Sequence, residues 1–282
     1  MSTTLSGYIT EVRRLLHDAN GNFYTDSQLT DYINSARERI VRDTGCLRML
    51  QVSQVPCTPE PGGSDPYFWS ANTAVALDDF IVSNIFIYKV VGAGTLGSQA
   101  PGYPVSGGAY PPSTPFTNGT ATLQYAGPSE IINFNCLPKG DQTLDVLNIN
   151  LYWGNTRIPM RYLSWTEFNA NLRFWQNYIG RPVAFSVFGQ AQIYVSPVAD
   201  EVYPIELDTV YLPAPLVTSS EVDPIKSPYT SPVKFYAAYL AKYYEQSFGE
   251  AEIYKQEYLK QAQSVLVSTY TRRIPDPYSN TF

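Results

Sequence analysis

The chain has little of what catalysis usually needs. One histidine, His17, stands in 282 residues. A catalytic triad would have that single imidazole to build on, and no G-x-S-x-G elbow accompanies it. His17 falls at the end of the first helical pattern, where a cation suits the helix dipole. The three cysteines, Cys46, Cys57 and Cys136, lack metal-ligand spacing. Their odd number points to free thiols and assembly in a reducing compartment. Charged residues are 16% of the chain and the net charge is −6. Phosphate affinity needs clustered Lys and Arg, so tight nucleic-acid binding is excluded. The longest apolar stretch, Phe80–Val91, is interrupted by Ser83, Asn84 and Lys89 and is too short to span a bilayer. No basic region followed by an apolar core marks a signal peptide near the N-terminus. No catalytic residue, cofactor or metal ligand is therefore expected, nor membrane association.

Three local patterns have simpler readings. Gly92-Ala93-Gly94-Thr95-Leu96-Gly97 fits G-x-G-x-x-G after a strand. Dinucleotide binding needs a helix next, and Pro101, Gly102 and Pro104 preclude one. Asp78 and Asp79 are adjacent, so on a strand they point to opposite faces and read as a turn. Asn118-Gly119-Thr120 matches a glycosylation acceptor but also reads as a turn.

What the chain does have is apolar periodicity at its two ends. Leu5, Ile9, Val12 and Leu16 recur at helical spacing, predicting a helix over 3–17. Leu29, Ile33, Ala36 and Ile40 predict a second, opened by the capping box Thr25/Gln28 and ending near Gly45. Ser231-Pro232 predicts the start of a third helix, whose inner side carries Phe235, Ala238 and Tyr239. Gly249 separates it from a fourth, with stripe Tyr254, Tyr258, Ala262, Val265 and Thr269. Four apolar stripes without other partners predict one four-helix bundle from residues 1–45 and 231–270.

Residues 46–230 predict a mainly antiparallel β domain, making the fold class α+β. Strand patterns lie at 46–55, 73–78, 81–91, 120–126, 130–136, 143–153 and 202–212, with a hairpin at 182–195. A second capping box, Ser164/Glu167, predicts a short helix over 164–178. Residues 92–119 hold seven glycines and five prolines and read as a long exposed loop. Its aromatic residues Tyr103, Tyr110 and Phe116 are candidate contacts to a neighbour or tail component. Residues 271–282 read as an extended tail. Tyrosine (23) and proline (22) are plentiful; tyrosine suits both strands and interfaces.

One segment goes further. It reads Arg161-Tyr162-Leu163-Ser164-Trp165-Thr166-Glu167-Phe168, then Gly180-Arg181-Pro182, then Ser196-Pro197 through Asp200, then Pro204-Ile205-Glu206-Leu207. With Tyr24-Thr25-Asp26, Leu29, Tyr32-Ile33-Asn34 and Ala36, it resembles the head-to-tail adaptor proteins of short-tailed bacteriophages, of the tail tubular protein A type. The resemblance implies a structural virion protein of the neck, assembled in the host cytoplasm. It implies a dodecameric ring of the chain with itself, joining the portal protein to the tail nozzle. Double-stranded DNA would pass the ring without specific binding, and an acidic lumen would repel phosphate. It also implies portal binding through the C-terminal tail, by Arg272, Arg273, Ile274, Tyr278 and Phe282. The alternative reading is a tail component that binds or cleaves host surface glycans, for which Trp and Tyr would supply stacking platforms.

Overall fold

The computed structural model of the chain describes residues 3–101, 114–171 and 178–270. It contains helices α1 (Leu5–Leu15), α2 (Asp26–Thr44), α3 (Trp165–Asn171), α4 (Val233–Tyr244) and α5 (Phe248–Tyr270). The strands are β1 (Arg48–Val55), β2 (Tyr67–Phe68), β3 (Ala74–Val75), β4 (Phe80–Ser83), β5 (Phe86–Gly92), β6 (Gly94–Thr95), β7 (Phe116–Asn118), β8 (Ala121–Pro128), β9 (Ile131–Asn133), β10 (Thr143–Trp153), β11 (Thr156–Pro159), β12 (Arg161–Tyr162), β13 (Ala184–Phe188), β14 (Gln192–Ser196) and β15 (Tyr203–Tyr211). The fold is α+β with mostly antiparallel sheets. Two compact units divide the chain, one holding residues up to Arg48 and from Val210, the other Met49–Thr209.

In the helical unit, α4 packs against α1, α2 and α5, and α2 also touches α1 and α5. Of the expected stripes of α1 and α2, Leu5, Val12, Leu16, Leu29, Ile33, Ala36 and Ile40 are buried, while Ile9 is half-buried and Tyr8 beside it takes the inside place. Both halves of the Thr25/Gln28 capping box form. The buried face of α4 is Val233, Ala237, Ala238 and Ala241 rather than the expected Phe235 and Tyr239, which are half-buried. A helix with three helical neighbours is packed closest through small residues, and larger side chains move to its flanks. On α5, Tyr258, Ala262 and Val265 are buried as expected; the side chain of Thr269 lies outside the described residues. Tyrosine hydroxyls tie α5 down, Tyr254 donating to the Leu15 carbonyl at 2.7 Å and Tyr258 to Asp43 at 2.7 Å.

The helix boundaries correct two expectations. Ser231 does not cap α4: its N–H is engaged in a turn with Pro228, Pro232 takes the cap position, and no side chain bonds there. Gly249 does not end α4 but sits in the first turn of α5. The stop is Gln246 at φ 65°, with Ser247 N–H donating to Lys242 and Gln246 N–H to Tyr243. That is the Schellman pattern, with glutamine in the left-handed place glycine usually fills. α1 ends alike: His17 has φ 57° and Asp18 N–H reaches the Arg13 carbonyl.

In the β unit, a sheet ordered β1-β15-β10-β11 and a sheet ordered β12-β13-β14-β9 share one core. Val55, Ile149, Leu151, Ile205 and Leu207 meet Ile132, Phe185, Ile193 and Val195 there. α3 covers the other face of the second sheet through Phe168, which packs with Ala184 and Tyr194. The Glu167 N–H donates to Ser164 Oγ at 3.4 Å at its start. The expected extension of this helix to residue 178 lies largely outside the described residues. A five-stranded sheet, β2-β4-β5-β8-β7, has its own core of Ile81, Tyr88, Val90, Ala121 and Leu123.

Both described ends of the expected loop 92–119 are strands, β6 and β7, and the expected strand 130–136 stops at Asn133 and turns into a 3-10 helix. The glycine pattern at 92–97 serves this sheet. A Cβ on Gly94 would lie 2.6 Å from the Thr120 carbonyl carbon, and one on Gly119, at φ 69°, would overlap the Thr95 carbonyl oxygen. The backbones can meet so closely only without side chains. Among the described residues no helix is long and apolar enough to cross a membrane.

Candidate assembly interface

The sequence of α4 places tyrosines 236, 239, 243 and 244 around its alanine face. At helical spacing their rings become neighbours. Tyr258 meets Tyr236 at 5.0 Å, Tyr236 meets Tyr239 at 5.3 Å, and Tyr239 meets Tyr243 at 5.8 Å. Tyr243 then contacts Tyr244 at 6.1 Å and Phe248 at 5.6 Å. Tyr244 stacks on Tyr32 of α2, 5.5 Å apart and 13° from parallel. The run is buried at Tyr258 and emerges at Tyr243, Tyr244 and Phe248, the last two 68% and 60% exposed, with Ile253 beyond.

Such rings have few torsions, and these are held by one another, so little entropy is lost on docking. Between α2 and α4 lies a groove of about 450 Å³, where Tyr32, Tyr236 and Tyr244 are joined by Glu38, Arg39 and Arg42. Toward the C-terminal end of α4, Lys242 bridges Glu245 at 2.9 Å and Glu250 at 3.0 Å. Tyr24 donates to Glu245 at 2.8 Å. Burial, then this carboxylate, pushes the Tyr24 hydroxyl up to about 12, so it remains a donor.

Within the helical unit a buried ionic cluster ties α1, α2 and the segment before α4 together. Arg37 grips Asp223 with two nitrogens, Nε at 3.0 Å and Nη2 at 2.9 Å, and its Nη1 donates to Asn34 and the Ala214 carbonyl. Tyr8 of α1 donates to the same carboxylate at 2.8 Å. Burial, then Asp223, raises the Tyr8 pKa far above its ordinary value, so the hydroxyl stays protonated. Asn34 completes the joint through both the N–H and the carbonyl of Leu216.

The β unit carries a second concavity, about 570 Å³, with Trp153, Tyr178, Arg181, Asp200, Glu201 and Tyr203 around it. The Arg181 guanidinium lies 4.5 Å above the Trp153 ring. Tyr203 donates to Asp200 at 2.7 Å, and burial, then Asp200, raises its pKa. Trp153 is 54% and Tyr178 64% exposed.

The residues singled out in the sequence stand as follows. Arg272, Arg273, Ile274, Tyr278 and Phe282 lie outside the described residues, as do Tyr103 and Tyr110. Phe116 is described: it is half-buried in β7, its ring edge-on to Tyr88 at 5.6 Å, and it closes the core of the five-stranded sheet. Asp78 sits at φ 65° in a turn, and Asp79 accepts from the Ala76 N–H, as the turn reading requires. The cysteines are free thiols, and burial pushes Cys57 up to about 11. The aromatic run on α4 was missed, although tyrosines at spacings of three and four were its visible signal. The Arg37–Asp223 pair has no local signal.

Residues 109–279 match the profile of a protein family described as SU10 adaptor protein. No curated protein matches the chain.

Proposed function

The chain belongs to the SU10 adaptor protein family, and from that premise we propose that it is a structural component of a bacteriophage neck, joining the portal vertex to the tail. The observation that carries the reading is the exposed aromatic run Tyr243–Tyr244–Phe248 on a rigid helical base. Aromatic anchors on preorganised helices are what protein interfaces concentrate at their centres. We read the four long helices as a bundle that meets the portal, and the β unit as the part that meets the tail nozzle. Copies of the chain form a closed dodecameric ring, as in the short-tailed phage adaptors the sequence resembles. The net charge of −6 lets DNA pass through such a ring during ejection without adhering. The role is assembly, with no reaction assigned.

Co-expression with the portal protein of the same phage tests this. The chain should co-purify with portal and add a ring of density beneath it in negative-stain images. A chain that folds yet never joins portal particles would overturn the reading.

A further inference from the structure

The concavity on the β unit combines three chemistries at one place. Trp153 and Tyr178 offer aromatic surface, Asp200 and Glu201 offer two exposed carboxylates, and Arg181 offers a guanidinium. Among the described residues Arg181 has no carboxylate within ion-pairing distance, only the Trp153 ring beneath it. Aromatic grooves flanked by acidic groups recognise extended proline-containing segments that carry arginine: the stiff segment loses little entropy, prolines stack on the rings, and arginines meet the carboxylates.

The chain itself contains such a segment. After α5 it reads Thr271-Arg272-Arg273-Ile274-Pro275-Asp276-Pro277-Tyr278. Two cations, an Ile-Pro pair and one anion occur in that order, the charge complement of a groove with two carboxylates and one guanidinium. The residues from 271 to 282 follow α5 directly and reach up to about 40 Å when extended, enough to span onto a neighbouring molecule.

We propose that the groove receives residues 272–278 of a second copy of this chain. Arg272 and Arg273 pair with Asp200 and Glu201, Ile274 and the prolines pack on Trp153 and Tyr178, and Asp276 meets Arg181. The resemblance drawn from sequence directs this tail to the portal; the groove gives it a target on the chain. The inference deepens the ring reading and rests on it for the identity of the neighbour.

The test uses the full-length chain and a fluorescent peptide of residues 271–282, followed by anisotropy. Full-length Arg272→Glu/Arg273→Glu, whose own tail cannot compete, should bind the peptide. Adding Asp200→Asn/Glu201→Gln, which removes the groove's charge without attracting the glutamate tail, should weaken binding about tenfold or more. Trp153→Ala should weaken it as well, with circular dichroism confirming each variant's fold. No binding by the folded chain, or binding indifferent to Asp200 and Glu201, overturns the proposal. Wild-type chain that refuses the peptide at every dilution, while the tail variant accepts it, places the tail in its own groove and overturns the second-copy assignment. Portal co-purification of the wild-type chain tests the adaptor reading separately.

Discussion

Arg37 and Asp223 stand 186 residues apart in sequence and form a two-pronged ion pair with both side chains buried. The pair joins α2 to the segment that leads into α4, and Tyr8 brings α1 to the same carboxylate. Besides Tyr8 and Arg37, the Ile225 N–H two residues on also donates to Asp223, at 3.0 Å.

A charge left alone in that core is costly, whereas removing both is not. Asp223→Ala should destabilise the protein by about 3–5 kcal/mol in urea unfolding, while Arg37→Met with Asp223→Leu should recover most of that loss. Equal destabilisation by single and double variants would show that the charges themselves are not the issue.

Asp18 supplies a pH dependence. Burial works to raise its pKa, but N–H groups of Tyr24, Asn22 and Phe23 and the Arg13 guanidinium outweigh it, and the net shift is downward. A carboxyl held below its ordinary value adds stability that is present above the unfolded pKa, about 4, and lost as pH falls through the folded one. Asp18→Asn should therefore melt below wild type at pH 6, with the gap closing toward pH ~2. A gap that is constant with pH would mean the turn at 18–24 depends on shape rather than charge.

The two helix-boundary residues give opposite tests. Gln246 holds a left-handed conformation that glycine adopts freely, so Gln246→Gly should stabilise by about 0.5–1 kcal/mol. Gly249 lies within α5, and a Cβ there meets nothing within 4 Å. Gly249→Ala should stabilise by about 0.5–1 kcal/mol. Thermal melts of the single variants would show a loss in either case if these boundaries were misplaced.

Tyr244 and Phe248 are exposed, and replacing them should separate folding from assembly. Tyr244→Glu with Phe248→Glu should change stability by no more than about 0.5–1 kcal/mol in total yet abolish co-purification with portal. Retained portal binding would move the interface elsewhere.

The sequence by itself determined the α+β class and the helix positions at both ends. It determined the Thr25 capping box, because caps and 3.6-residue stripes are encoded by neighbours a few positions apart. Its glycine rule failed at Gly249, since Gln246 could take the left-handed position once Tyr243 and Lys242 carbonyls were there to receive its turn. Its large-residue rule failed on α4, since only a helix known to have three neighbours must be lined with alanine.

Tertiary structure alone decided that Arg37 would be buried, that Asp223 would meet it, and that Trp153, Arg181 and Asp200 would share one groove. Those relations depend on where distant segments come to lie. No short-range pattern carries them, because the energy of an ion pair or a ring contact is set by distance in space and not by separation along the chain.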